Sequence, residues 1–330
     1  MRDGVLVIAP AGDIVYANLA AAEILSISLT DLIGKRLLEA VRLTELSDLV
    51  EEVKAAQRPH EKEIKFFYPV EKSLLASVNS IKDEAGAELG IAVVLRDITE
   101  MKHLENLRSE FVANVSHELK TPLTAIRSYA ETLLNGALDD KAHNTEFVGK
   151  IEKHAENLTT LIDDLLEVSQ LEAKRGLGKF VPVNVWRVAG TALETLMEKA
   201  RKKKIELSLD CHNKELTATG IEDHVYRAVL NLVDNALNYT DPGGKVTIAC
   251  GRSDQGVEIS VSDTGIGIAA EHLPRLFERF YRVDKARSRD LGGTGLGLAI
   301  VKHVMNIHNG SVSVSSEVGK GSKFTLTFPG

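Results

Sequence analysis

The sequence predicts a multidomain α+β protein of three blocks, and three observations carry that reading. Short apolar runs separated by turn residues fill residues 1 to about 97. Helical periodicity takes over from about 98 to 173, and helices and strands intermix again from about 180 to 330. No 20–50-residue repeat or low-complexity tract interrupts them.

In the first block, Val5-Leu-Val-Ile8 and Ile14-Val-Tyr16 flank the turn residues Pro10-Ala-Gly-Asp13, a hairpin signal. A helical stretch follows from Ala20 to Ser26. Strands are predicted at Glu63–Phe67, Leu74–Asn79 and Ile91–Arg96, with Gly86 and Gly90 marking turns.

In the second block, Ile98, Met101, Leu104 and Phe111 carry an apolar seam into the segment Phe111-Val-Ala-Asn-Val-Ser-His-Glu-Leu-Lys-Thr-Pro-Leu123. There Val112, Val115, Leu119, Leu123 and Ile126 recur at three- and four-residue steps, one stripe of a helix. His117 lies off that stripe and should face water, with Glu118 beside it and Thr121 one turn on. Pro122 lacks an N–H and crowds the carbonyl of Glu118, so a bend is expected there, at a cost of about 3 kcal/mol in an ordinary helix. A break at Asn135-Gly-Ala-Leu-Asp-Asp140 precedes a second helix with Phe147, Ile151, His154, Leu158, Leu161, Leu165 and Val168 in a heptad-like seam. His154 sits in the seam, which favours a packed, hydrogen-bonded residue over a second catalytic one. Two helices leave such seams uncovered. Pairing of two chains into a four-helix bundle would bury them, each leucine contributing about 1.5–3 kcal/mol. Glu172–Gly178 reads as a linker.

The third block is read as a helix near Trp186–Lys203, a strand at Ile205–Leu209, and a helix from Glu222 to Asn238. Strands follow at Lys245–Cys250 and Val257–Asp263, then a helix at Leu298–His308 and strands at Ser311–Ser315 and Lys323–Phe328.

Composition narrows the functions available. A formal charge of −7, without a basic face bearing aromatics, argues against nucleic-acid binding. The two cysteines, Cys211 and Cys250, are too few for a disulfide framework or a cysteine-rich metal site, and fit a reducing cytoplasm. No apolar run reaches the ~20 residues of a membrane span, and no secretory signal follows Met1. A membrane link is expected only through an upstream anchor, were this chain part of a longer one.

Four motifs in the third block carry chemistry. Asn231-Leu-Val-Asp-Asn235 puts two carboxamides on one helix face, suited to Mg²⁺ and triphosphate oxygens. Asp263-Thr-Gly-Ile-Gly267 ends a strand with a carboxylate able to accept from an adenine amino group. Leu291-Gly-Gly-Thr-Gly-Leu-Gly-Leu298 sets glycines immediately before a helix N-terminus, an anion site. Phe277-Glu-Arg-Phe-Tyr-Arg282, polar around aromatic anchors, could cover bound nucleotide as a lid. Each motif alone is weak: glycine loops are mostly turns, paired asparagines mostly surface, and aromatic pairs mostly core. Their joint order downstream of an exposed histidine is specific. Neither the lysine-bearing Walker pattern nor the Ser/Thr kinase signature set is present.

On these residues the chain resembles the sensor histidine kinases of two-component systems. Asn18, Ala20-Ala-Ala-Glu-Ile-Leu25 and Leu95-Arg-Asp-Ile-Thr99 resemble a PAS domain over 1–97. Residues 98–175 resemble a dimerisation and histidine-phosphotransfer bundle, and 176–330 an α/β-sandwich ATP-binding domain of the GHKL (Bergerat) type. The run Ala125–Leu134 resembles the phosphate-regulon sensor subgroup. With no cysteine in the PAS block, the cysteine-adduct photochemistry of the flavin-binding subgroup is excluded, and His60 is expected to be a solvated loop residue rather than a haem ligand.

The resemblance implies a homodimeric, cytoplasmic kinase that uses ATP and Mg²⁺ and acts on a cognate response regulator. It implies His117 as phosphoacceptor, Glu118 as its orienting base, and Thr121 as the residue placing water for regulator dephosphorylation. Asn235 would bind Mg²⁺ with Asn231 in support; Asp263 would read adenine and Tyr239 pack on the nucleotide. Gly265, Gly267, Gly293, Gly295 and Gly297 would shape the pocket and lid, and Arg282 would reach a phosphate. Regulator docking is expected on the face from about Thr124 to Asn135. One departure stands out: Asn238 replaces the lysine often found before the tyrosine, removing a phosphate-facing cation that Arg279, Arg282 or Lys285 would have to replace. This should weaken ATP affinity more than activity. Rival readings are a GHKL ATPase clamp, which has no use for an exposed His117-Glu118, and a non-catalytic nucleotide-binding dimeric scaffold.

Overall fold

Strict alternation of buried and half-exposed residues in Gly4–Ile8 (β1) fixes one face of the first sheet. In the computed structural model, which describes residues 3–56, 58–67, 70–140, 143–173, 178–284 and 293–329, the chain divides into two compact units, Met1–Ala113 and Asn114–Gly330.

The first unit is a five-stranded antiparallel sheet. Ile14–Ala17 (β2), β1, Glu88–Asp97 (β5), Lys72–Lys82 (β4) and His60–Phe66 (β3) lie side by side in that order. Leu19–Leu25 (α1), Leu29–Leu32 (α2), Leu37–Val41 (α3) and Thr44–Ala56 (α4) help enclose a core that includes Leu6, Ile14, Leu25, Leu46, Leu49, Leu74, Val93 and Leu95. Asn18 caps α1: its Oδ1 accepts from the amides of Ala21 (2.8 Å) and Val5 (2.9 Å), so one side chain joins the helix start to β1. The stretch from α2 to α4 was not anticipated: α2 and α3 are too short to show a period, whereas α4 does carry one, in Leu46, Leu49, Val50 and Val53, that the sequence reading missed. His60 is half-exposed as expected, yet it begins β3 rather than lying in a loop.

Asp97 accepts the Thr99 amide (2.9 Å) and starts the 34-residue helix Thr99–Thr132 (α5), which contains Pro122 without interruption. A π-type turn at Leu133–Ala137, with Gly136 at φ +119°, ends it where the loop was expected. Asn144–Ala173 (α6) returns. The linker segment after it lies largely outside the described residues.

The second sheet runs Ser311–Glu317 (β11), Gly321–Phe328 (β12), Gly256–Asp263 (β10), Lys245–Ser253 (β9), Glu206–Asp210 (β7), antiparallel except for β7 beside β9. Three helices pack with it: Val185–Lys203 (α7), Glu222–Tyr239 (α8) and Gly297–Ile307 (α9). Val181–Asn184 (β6) and Thr217–Gly220 (β8) form a separate two-stranded ribbon that the sequence reading missed. Amphipathicity explains α8. Val225, Ala228, Val229, Leu232, Val233, Ala236 and Leu237 are buried, which turns Asn231, Asp234, Asn235, Asn238 and Tyr239 the other way.

Two expectations are corrected. Leu161, Val168 and Leu171 of α6 are buried in the core formed by the second sheet and its helices in the same chain, so part of the seam is covered without a second chain. Cys211 and Cys250 are joined in a disulfide with Cα atoms 4.8 Å apart. The parallel register pairs Asp210 with Ala249 and so sets the next two residues side by side, a relation that a cysteine count cannot reveal.

Candidate functional site

The outward face of α8, the end of β10, the glycine segment before α9 and the 276–284 segment enclose a cavity of about 420 Å³, the size of a small-molecule site. Its lining contains Asn231, Asn235, Tyr239, Asp263, Gly267, Arg282, Gly293, Gly295 and Gly297, so nine of the residues singled out from sequence converge. Gly265 lies behind the wall: a Cβ there would sit 2.2 Å from the carbonyl oxygen of Tyr239.

Asp263 is held by its own loop. Its Oδ1 accepts from the amides of Gly265 (2.8 Å) and Ser322 (3.3 Å), and no hydrogen bond among the described residues engages Oδ2. Burial pushes its pKa above the usual carboxylate range, and the two amide donors offset that only partly. Gly295, at φ +75°, comes so close to Phe280 that a Cβ would lie 2.9 Å from the Phe280 Cα, and its carbonyl accepts the Phe280 amide (2.9 Å). The expected lid is thereby fastened to the glycine segment. Phe277 meets Phe324 edge-on (6.5 Å), and Tyr281 is hydrogen-bonded to His272 (2.9 Å). Leu291, Gly292 and Lys285 lie outside the described residues.

His117 and Thr121 are exposed on α5, and Glu118 is half-buried. Thr121 Oγ1 donates to the carbonyl of His117 (3.1 Å). His117 is not in the cavity wall, but Glu118 is linked to it: Arg282 Nη2 donates to Glu118 Oε2 at 3.2 Å, with only 8% of the arginine side chain exposed. A small cleft beside this pair is lined by Glu118, Thr121, Pro122, His154 and Thr294. His154 stacks on Tyr129 (centroids 6.1 Å), a packing role as expected.

The sequence reading missed one wall altogether. Glu156, Asn157, Thr160 and Asp164 of α6 line the cavity, and Thr294 of the glycine segment donates to Asp164 (2.5 Å). Burial raises the Asp164 pKa, with the Thr294 hydroxyl opposing. Lys199 of α7 was also missed; its Nζ donates to Asp234 (2.5 Å). These polar residues are spread over helices whose sequence signal is dominated by their apolar faces, so nothing local marks them.

Comparison with known proteins agrees with this geometry. Residues 220–330 match the family described as histidine kinase-, DNA gyrase B- and HSP90-like ATPases, 107–174 the His kinase A (phospho-acceptor) domain, and 1–103 the PAS fold. The phosphate regulon sensor protein PhoR of Pseudomonas aeruginosa is 34% identical over 99% of this chain and 72% of its own length. The chain belongs to the sensor histidine kinases of two-component systems. Members are ATP-dependent protein-histidine kinases that phosphorylate a histidine and pass the phosphoryl group to an aspartate of a response regulator. The sensor histidine kinase WalK of Bacillus subtilis is equally similar, 34% over the whole chain, and the chain spans about half (54%) of that relative's length. Equal identity to the two relatives leaves the phosphate-regulon subgroup undistinguished. In fold, this kinase resembles the histidine kinase ThkA solved with response regulator protein TrrA, with TM-score 0.55 and 20% identity over 99% of this chain and 95% of that one. The Acinetobacter baumannii kinase AdeS matches at TM-score 0.51 and 23% identity over 64% of this chain and 97% of that one. No helix among the described residues is long and apolar enough to cross a membrane.

Proposed function

We propose that His117 is the phosphoacceptor of this kinase and that the α8–α9 cavity holds the ATP whose γ-phosphorus it attacks. One observation carries the reading: Arg282 lines the nucleotide cavity and at the same time binds Glu118, the neighbour of His117. A neutral imidazole is nucleophilic near neutral pH. In the transfer step a bond forms between His117 Nε2 and the γ-phosphorus, the bond to the ADP oxygen breaks, and the ring's Nδ1 proton passes to Glu118. Glu118 must first turn from Arg282 to the ring, which releases the guanidinium toward the phosphate. Arg282 is thus the link between the two halves of the site.

The oxygen-only donor set of Asn231 and Asn235 fits a hard divalent cation. Gly297 keeps room beside it: a Cβ there would come 3.4 Å from Asn231 Oδ1. Asn235, supported by Asn231, would hold Mg²⁺, which when bound neutralises charge on the phosphate oxygens. Asp263 reads the adenine amino group through Oδ2, and Tyr239 packs on the nucleotide.

A second copy of the chain is the occupant we assign to the apolar surface of the hairpin, where Val112, Leu123, Leu134, Val148, Ile162 and Leu166 are exposed. The response regulator is the partner that accepts phosphate from His117, docking on the α5 face below Pro122.

Incubation with ATP labelled at the γ-position tests the core of this reading. The expected result is an acid-labile, base-stable adduct on the protein. Label released only as inorganic phosphate would favour an ATPase clamp instead. For hydrolysis of the regulator's phosphoryl group, the Thr121 hydroxyl, which donates to the His117 carbonyl, would accept from and place the attacking water. Thr121→Ala should slow dephosphorylation of a phosphorylated regulator by about tenfold or more, with autophosphorylation changed less than about threefold. Equal losses in both assays would remove the phosphatase role.

A further inference from the structure

We infer that Lys199 is a phosphate-binding residue of this kinase, a cation delivered from α7 to the triphosphate end of the cavity. The inference rests on the proposed nucleotide site and deepens it.

The electrostatic setting calls for such a group. Among the described residues lining the cavity, five carry carboxylates and two, Lys199 and Arg282, are cationic. A triphosphate adds roughly four negative charges, so its binding depends on every cation that can approach it. Arg282 already shares its charge with Glu118 through Nη2. Lys199 is the other.

Its position suits the task. Lys199 donates to Asp234 Oδ1, while Asp234 Oδ2 accepts from Asn238 Nδ2 (3.0 Å). Asp234 stands three residues after Asn231 and one before Asn235, so the ammonium is tethered to the helix face assigned to the phosphates. An ammonium has three donors, and the described contacts use one of them, which lets Lys199 keep Asp234 while donating to a phosphate oxygen. Lys203, one turn along α7, is differently employed. It donates to the Leu237 carbonyl (3.0 Å) and Asn238 Oδ1 (2.9 Å) and is absent from the cavity lining.

The plain alternative is an ion pair that merely ties α7 to α8. At 36% and 38% side-chain exposure such a pair contributes little to stability. The two roles differ in what they do to different ligands. A structural tie acts on all nucleotides alike, whereas a phosphate contact acts in proportion to the phosphates present.

The test is titration of the intact chain with Mg²⁺-ATP, ADP and adenosine by calorimetry. Lys199→Met should weaken ATP binding about tenfold and ADP less, leaving adenosine within about twofold. Lys199→Arg should keep ATP affinity within about threefold. Asn238 shares the Asp234 carboxylate, so adding Asn238→Lys to Lys199→Met offers a second cation to the same place and should recover most of the loss. An unchanged ATP affinity in Lys199→Met, or an equal loss for adenosine and ATP, overturns the inference. His117 labelling of the wild-type chain is scored separately, so that outcome leaves the kinase reading intact.

Discussion

His117→Gln is expected to lower incorporation of γ-phosphate from ATP by at least about a thousandfold, to background, while nucleotide affinity stays within about twofold of wild type. Glutamine has no nucleophilic ring nitrogen, so the chemical step is lost outright. The side chain is exposed and lies outside the cavity wall, so neither folding nor binding depends on it. The split between intact binding and absent labelling is the informative part. Appreciable acid-labile phosphate on the Gln variant would place the phosphoacceptor elsewhere and undo the mechanism.

The second large effect is expected at the other end of the nucleotide. Asp263→Asn should weaken ATP and adenosine binding alike by about a hundredfold, or roughly 2.7 kcal/mol, because an acceptor-only carboxylate is replaced by a group that can present a donor to the adenine amino hydrogens. The pH dependence follows from burial. In the free protein the Asp263 pKa lies above the normal carboxylate range, and a bound amino group favours the ionised form. Affinity should therefore fall as pH is lowered through that raised pKa and level off above it, and the Asn variant should lack this step. Folding runs the opposite way. A raised folded-state pKa means the folded chain holds the proton more tightly than the unfolded one, so this group's contribution to stability is present at low pH and lost as pH rises through the folded value. The unliganded Asn variant should consequently melt no lower than wild type at neutral pH. Calorimetric titration across pH, with thermal unfolding of the apo protein, checks both signs. A variant that still binds adenosine within about threefold would remove Asp263 as the adenine reader.

Much of this site was legible because its residues sit where sequence speaks locally. The asparagines of α8 are read from helical periodicity, Asp263 from its place at a strand end, and the glycines from their spacing before a helix. His117 could be placed on an outward face by counting from Val115 and Leu119. What could not be read depends on the packing of elements far apart in the chain. Arg282 and Glu118 are 164 residues apart, Thr294 and Asp164 are 130 apart, and the Lys199–Asp234 pair joins two helices across 35 residues. In the PAS block the sheet was visible through alternation, whereas α2 and α3, at four and five residues, were too short to show a period. The disulfide belongs to the same class: only the β7–β9 register makes neighbours of the two cysteines.

Because Asp164 grips the hydroxyl of Thr294, the helix that belongs to the phosphotransfer hairpin also forms part of the ATP enclosure. Work done on one must therefore be felt by the other. If a rotation of α6 alters ATP affinity by some factor, then saturation with ATP biases that rotation by the same factor. Under such coupling ATP would bias the sensor's conformational balance as well as fuel its chemistry.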